Sequence, residues 1–154
     1  TTQLMTLLKL LPIFPIYYNG RTKFRPIHCS DLTNSITKII TDDIIENIIE
    51  FAGPEEMSFM DILEKLLSLI EKKRLLLPMP ISLARMTAHI FELLPKPLLT
   101  NDQLKLLKYD NVLSGKYKSN TDFDFNCVLK FEDEVNKYSY MWKSEGEYSK
   151  KRTS

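Results

Sequence analysis

Glycine is scarce in this chain, with only four residues among 154. They stand far apart, and none of them belongs to a G-x-x-G-x-x-G pattern: Gly20, Gly53, Gly115 and Gly146. A loop of that kind lets the backbone approach a pyrophosphate closely at the start of a helix. The 154-residue sequence therefore contains no glycine-rich dinucleotide-binding loop.

Cysteine and histidine are just as sparse. Cys29 and Cys127 are far apart and in no metal-ligand spacing, which excludes a disulfide framework and fits a reducing compartment. His28 and His89 are isolated, so no local pair of metal ligands forms around either of them. No metal site is predicted.

Recognisable catalytic patterns are missing as well. No tyrosine is followed by lysine at the fourth place, so the Tyr-x-x-x-Lys pair of many reductases does not occur. Carboxylates do stand next to one another, for example at Asp42-Asp43 and Glu55-Glu56. Adjacent side chains point in different directions on a helix, so these are interpreted as solvated charges rather than acid–base dyads. The chain alone is therefore not predicted to be an enzyme.

Neither sign of charge is in clear excess, since the formal net charge is +1. The overall charge therefore gives no reason to expect binding to nucleic acid. Four cations precede the first acidic residue, Asp31: Lys9, Arg21, Lys23 and Arg25. They could face a phosphate or an anionic membrane, or be an ordinary solvated surface. No apolar run reaches the roughly 18 residues that a membrane-spanning helix needs.

The first third of the chain predicts a strand, a helix and a second strand. Residues 24–29 are apolar and compact, with Pro26 at an edge or bulge, and residues 47–52 are rich in β-forming side chains. Between them, Ser30 or Asp31 is predicted to cap a helix. The apolar stripe of that helix is Leu32, Ile36, Ile39 and Ile40. This order within about thirty residues is typical of a βαβ unit in a parallel sheet.

Helices are predicted elsewhere from spacing and caps. Residues 3–11 read as a short helix followed by an Asn19-Gly20 turn. Ser58 with Asp61, and Thr100 with Gln103, have capping-box spacing. Further predicted segments are an extended stretch over 75–80, helices over 82–94 and 132–141, and a polar tail over 144–154. The predicted organisation is a sheet portion over 1–54, a helical subdomain over 55–143, and the tail.

Residues 24–32, Phe-Arg-Pro-Ile-His-Cys-Ser-Asp-Leu, resemble the late strand and His-x-x-Asp step of extended and atypical short-chain dehydrogenases. Sugar-nucleotide epimerases carry an arginine seven residues before that aspartate, and Phe24 occupies the place here. This departure argues against a UDP-sugar substrate.

The pattern is most similar to the NAD(P)-binding accessory subunit of respiratory complex I, the alpha-subcomplex subunit 9 family. Other segments that resemble this family follow in the same order over residues 2 to about 114: 8–15, 19–23, 53–55, 58–59, 74–80, 83–85, 93–95, 98–103 and 106–112. Several moderately specific segments in the right order carry more weight than any one of them.

The resemblance implies an α/β fold, the C-terminal fragment of a Rossmann-like short-chain dehydrogenase, with two short parallel strands and a mostly helical C-terminal subdomain. It implies NADP or NAD in the complete protein, held as a structural group by a missing N-terminal Rossmann half. Arg25 and His28 would be the residues nearest the cofactor. The implied partners are that half, complex I subunits or a membrane surface, and no nucleic acid. The implied location is cytoplasmic or on the matrix side, peripheral on the inner membrane near a ubiquinone-reducing complex.

Two alternatives remain open at this point. The chain could be the substrate side of an NAD(P)-dependent epimerase, dehydratase or reductase, with Arg25 and His28 beside the substrate. It could also be a separate helical interaction domain, although exposed strand edges would then predict poor solubility. The segment over 72–94 could place Lys72, Lys73, Arg74 and Arg85 on anionic lipid, or it could simply be subdomain core.

Overall fold

The computed structural model describes residues 1–80 and 105–144. This part of the chain is mixed α/β, with helices α1 (Thr2–Leu10), α2 (Cys29–Thr41), α3 (Phe59–Leu69) and α4 (Phe131–Ser139). The strands are β1 (Ile13–Ile16), β2 (Lys23–Phe24), β3 (Ile49–Glu50), β4 (Met57–Ser58), β5 (Leu75–Pro78) and β6 (Lys118–Ser119). Short 3-10 helices cover Tyr18–Gly20, Asn120–Phe123 and Tyr140–Trp142. The predicted helix over 82–94, the Thr100 cap, Arg85, His89 and the tail beyond residue 144 lie outside the described residues.

The described strands form three pairs. β1 runs parallel to β5, with Ile13 opposite Leu75 and Ile16 opposite Pro78. β3 runs parallel to β6. β2 runs antiparallel to β4, and Phe24 also makes a single parallel bridge to Asn111.

The two predicted parallel strands are therefore only partly present. The second is parallel, although its strand residues are limited to Ile49–Glu50. The first is shorter than predicted, because β2 ends at Phe24; its ladder with β4 is antiparallel, and its parallel pairing is limited to the bridge from Phe24 to Asn111. Pro26 has no N–H to offer a ladder, so the chain beyond Phe24 continues without regular pairing.

The larger of the two hydrophobic clusters in the described residues joins three of the four described helices. α1, the inner side of β1, α3, α4 and Trp142 all contribute to it, from both sides of residue 54. Its fully enclosed large apolar side chains are Met5, Leu8, Ile16, Leu63, Leu66 and Ile70. The leucine spacing of α1 and α3 produces this result, because positions three and four apart share one helix face.

Arg74 closes the C-terminal end of α1. Its Nε donates to the Leu8 carbonyl at 2.9 Å, and its Nη2 donates to the Lys9 carbonyl at 2.8 Å. The last carbonyls of a helix have no partner within the helix, so this guanidinium satisfies two of them. Arg74 therefore faces the protein rather than lipid, which corrects the hypothesis that it belongs to a lipid-facing cationic group. No helix in residues 1–80 and 105–144 combines the length and apolarity needed to cross a bilayer.

Helix α2 is oriented with polar residues inward. Asp31 and Ser35 are buried, whereas Ile36 is 44% exposed and Ile40 is 74% exposed. The predicted apolar stripe is thus helical, but in the described part of the chain much of it faces outward. A helix of this kind leaves an aliphatic surface uncovered next to its packed face.

Candidate functional site

The segment that follows β2 is held on both sides by backbone hydrogen bonds. The Arg25 N–H donates to the Asn111 carbonyl at 3.2 Å, and the Gly53 N–H donates to the Arg25 carbonyl at 3.2 Å. Three stretches that are distant in sequence therefore meet at Arg25. This junction contains Arg25, one of the two residues that the sequence marked as candidate cofactor contacts; His28 lies three residues further along the chain.

Gly53 is the point of closest approach in this junction. A Cβ added to Gly53 would lie 1.8 Å from the Pro26 carbonyl oxygen and 2.6 Å from its carbonyl carbon. Both are backbone atoms, so the contact cannot be relieved by a side-chain rotation. Glycine at this position allows the two backbones to pack against each other.

The Nε of the Arg25 guanidinium has no hydrogen-bond partner among the described residues. Its Nε is buried, and no side chain or carbonyl of the described residues accepts a hydrogen bond from it. A buried donor without an acceptor typically costs about 1 to 3 kcal/mol. Arg25 is thus a cation that is partly removed from water without any compensating anion in the described part of the chain.

An apolar cavity of about 290 Å³ lies on one side of Arg25. Phe24 and Phe59 form one wall, with ring centroids 6.2 Å apart. The other apolar lining residues are Leu4, Pro26, Ile62, Leu66 and Phe131. α1, β2, α3 and α4 all contribute to this cavity, and it is here called the Arg25 cavity.

Arg25 also lines a more polar cleft of about 240 Å³. Ala52, Gly53 and the segment 120–128 line it. Asn120 organises the cleft, because its Oδ1 accepts from the Ala52 N–H at 3.0 Å and its Nδ2 donates to the Phe125 carbonyl at 3.4 Å. Arg25 is therefore shared by an apolar cavity and a hydrogen-bonded polar cleft.

His28 lies three residues beyond Arg25 and caps α2. Its Nδ1 accepts from the Ser30 N–H at 3.3 Å, and its Nε2 lies 3.9 Å from a Glu134 carboxylate oxygen. The capping nitrogen is committed to the helix start, where N–H groups are otherwise unsatisfied. His28 is thus placed as a positioning residue, and the structure does not bring its imidazole together with the Arg25 guanidinium in any described contact.

Asp31 was predicted to cap α2 and does not do so, because the cap is His28. The Asp31 side chain turns inward from the first helical turn and accepts from the Leu129 N–H at 2.9 Å. It therefore ties α2 to the segment before α4. Sequence reasoning missed this role because Leu129 is distant in the chain.

Cys127 lies beside Asn120 and Asp31 in the same region. Burial raises the pKa of the Cys127 thiol, and the nearby Asp31 carboxylate raises it further. A thiol with a raised pKa is a poor nucleophile at neutral pH. Both cysteines are free, and no group of three or more potential metal ligands occurs within residues 1–80 and 105–144.

The four early cations do not form one patch. Lys23 pairs with Glu56 at 2.9 Å, and this carboxylate raises the pKa of Lys23. Lys9 lies elsewhere, with a buried Nζ whose pKa is lowered by burial and by neighbouring Lys72. Arg21 and Lys23 line one open cleft together, and Glu56 and Asp61 line it too. In the described residues, the four early cations are therefore not placed to bind a single phosphate together.

Ser58 caps α3 as its spacing predicted. The Asp61 N–H donates to the Ser58 Oγ at 3.1 Å, and the Ser58 N–H donates to the Asp61 carboxylate at 2.8 Å. This reciprocal arrangement satisfies two otherwise free donors at the helix start. The hydrogen bonds from Ser58 lower the pKa of Asp61.

The capping box makes stability depend on pH. Folding lowers the pKa of Asp61 below its ordinary value of 3.8, so its ionised form stabilises the fold at neutral pH. That stabilisation is lost as the pH falls below 3.8, the ordinary pKa of an aspartate, and then through the lowered pKa of Asp61 in the folded chain. We expect Asp61→Asn to cost about 0.5 kcal/mol at pH 7 and to flatten the acid limb of a Tm-against-pH curve. Glu64→Gln, an exposed change in the same helix, is the control, and an equal effect there would contradict the capping role.

Comparison with known proteins leaves the family unassigned. No protein-family model matches the chain, and no curated protein matches it significantly.

Proposed function

We propose that this chain is the C-terminal portion of an NAD(P)-binding protein of the complex I accessory-subunit type, with a non-catalytic structural or assembly role. In this proposal an N-terminal Rossmann half holds NADP or NAD, and the complete protein lies at the matrix or cytoplasmic face near a ubiquinone-reducing membrane complex. The support is the ordered resemblance over residues 2 to about 114, together with the mixed α/β architecture of the described residues.

The orientation of α2 is the structural observation that carries the proposal furthest. Asp31 and Ser35 face inward, and Ile36 and Ile40 are exposed. A neighbouring layer of a larger α/β protein would cover such a stripe, since helices in α/β folds are covered by the sheet on their apolar side. The proposal thus gives the exposed isoleucines a packing partner.

Nucleotide binding tests the proposal directly. NADPH is titrated into the full-length protein and into residues 1–154 alone, with intrinsic fluorescence as the readout. The full-length protein should bind NADPH and release it unoxidised, while the shorter chain should not bind. Binding by residues 1–154 alone, or turnover of NADPH by the full-length protein, would count against the proposed role.

A paired substitution tests the α2 surface. Ile36→Glu with Ile40→Glu should leave the melting of residues 1–154 within about 0.5 kcal/mol of wild type, because both side chains are exposed. The same pair should destabilise the full-length protein by about 2 kcal/mol or more, since burying an unpaired charge is costly. Thermal unfolding of both lengths measures the difference.

The matched control for the α2 surface is Asn34→Glu with Thr37→Glu. It adds the same charge to exposed positions of the same helix, outside the apolar stripe. Equal behaviour of the two pairs in the full-length protein would show that the stripe has no packing partner there.

A catalytic alternative is favoured by one observation, the Arg25 Nε that has no acceptor among the described residues. On that alternative the chain is the substrate side of an NAD(P)-dependent epimerase, dehydratase or reductase, and Arg25 holds an anionic substrate. The upstream coding sequence separates the two: an intact Tyr-x-x-x-Lys pair supports the enzyme, and its absence supports the accessory role.

A further inference from the structure

The Arg25 cavity has the two features of a site for a small amphipathic anion. Its lining is mostly aliphatic and aromatic, and Arg25 is its one cationic side chain. Ligand pockets commonly combine a mostly apolar lining with a small number of polar groups that fix orientation. The cavity is distinct from the open cleft of Arg21 and Lys23, which is lined partly by carboxylates.

Size limits the ligand. The cavity volume of about 290 Å³ corresponds to the space of roughly ten water molecules in the liquid. A chain of about ten carbon atoms matches this space, whereas a dinucleotide does not fit within it. The lining also favours a tail over a polar ring system, because seven of its ten residues have apolar side chains; the polar ones besides Arg25 are Thr1 and Asn111.

The Arg25 side chain indicates that one end of the ligand is anionic. The Arg25 guanidinium carries five N–H donors in a planar fork, which suits a carboxylate or phosphate. None of the described residues accepts a hydrogen bond from its Nε, so an anion that reaches this guanidinium would supply an acceptor that those residues do not. The polar cleft beyond Arg25, with the Gly53 and Asn120 region, leaves room for a hydrated head group.

We propose that the Arg25 cavity binds an alkyl chain of about ten carbons that ends in a single anionic group, with the anion on Arg25 and the tail between α1, α3 and α4. The inference goes beyond the proposed function and does not depend on NAD(P) binding. The anion could be a free carboxylate or a phosphate monoester, and the chemistry shared by both is a charged head on an apolar tail.

Binding to the full-length protein tests the site with defined probes. Decanoate, decyl phosphate and decanol are titrated by calorimetry below their self-association limits. Decanoate or decyl phosphate should bind, and decanol should bind roughly ten- to a hundredfold more weakly, the loss expected for one charge-assisted hydrogen bond. Tighter binding of one anion over the other identifies the head group. Equal binding of decanol, or no binding of either anion, overturns the proposal.

Variants assign the binding to this cavity. Arg25→Met should weaken anion binding roughly tenfold or more, and Arg25→Lys should retain more of it because the charge remains. Arg21→Met is the matched control, with the same charge change on an exposed arginine outside the cavity, and it should leave the affinity unchanged. Ile62→Phe keeps Arg25 and fills the cavity from α3, so it should abolish binding even where Arg25→Met fails to fold. Unchanged affinity in Ile62→Phe overturns the proposal, as does an equal loss in Arg21→Met and Arg25→Met.

Discussion

Gly53→Ala is expected to lower the free energy of unfolding by about 3 kcal/mol or more, at the upper end of the overpacking range. The new Cβ would lie 1.8 Å from the Pro26 carbonyl oxygen. Relief requires the two backbones to separate, which also breaks the 3.2 Å hydrogen bond from the Gly53 N–H to the Arg25 carbonyl. Urea unfolding followed by far-UV circular dichroism, with the slope compared between variants, measures the loss.

Gly115→Ala is the matched control. Gly115 has a φ of +69°, and a Cβ placed there meets nothing within 4 Å. Its substitution should lower the free energy of unfolding by about 1 to 2 kcal/mol, the cost of holding alanine in the left-handed region. The comparison separates steric contact from backbone strain, because Gly53 has the contact and Gly115 has the positive φ. A smaller loss at Gly53 than at Gly115 would contradict the close approach at Pro26.

The helices were predictable because their signals are local. Leucines at helical spacing predicted α1, and Ser58 with Asp61 predicted the start of α3. Residues 132–141 predicted α4, which begins at Phe131 and ends at Ser139. In each case caps and periodicity operate within one or two turns, so the sequence contains the necessary information.

Strand pairing was less predictable because it depends on residues far apart. Residues 24–29 look like a strand, but Pro26 and the contact with Gly53 end the ladder after Phe24. The partner of β3, Lys118–Ser119, is nearly seventy positions further along the chain and too short to show a pattern of its own. Its one local signal was Ser119 with Asp122, which form a capping box that sequence reasoning passed over.

In the candidate site, too, local features were predictable from the sequence and long-range contacts were not. Arg25 was singled out from the sequence, but its cavity needs side chains from α1, β2, α3 and α4. No spacing rule relates such distant segments. His28 was also singled out, and its capping role followed from the local geometry of α2 rather than from ligand chemistry. Sequence can mark an unusual cation, but whether that cation lacks a partner is a property of the packed chain.

Substitution of Asn120 is the other change that is expected to reduce stability strongly. It is 3% exposed, and its Oδ1 accepts from the buried Ala52 N–H at 3.0 Å. Asn120→Leu keeps a similar side-chain size but leaves that N–H, and the Phe125 carbonyl, without this partner. The free energy of unfolding should fall by about 2 to 3 kcal/mol, since a buried unsatisfied group costs about 1 to 3 kcal/mol. Equilibrium urea unfolding measures the change.

Asn126→Leu is the control, because Asn126 is exposed and lines the same polar cleft. It should change stability by no more than about 0.5 kcal/mol. Hydrogen exchange at the Ala52 amide adds a local readout: Asn120→Leu should speed its exchange more than the change in global stability requires. If Ala52 exchange follows global stability alone, the Asn120 side chain contributes packing rather than the hydrogen bond that joins the end of β3 to the segment before α4.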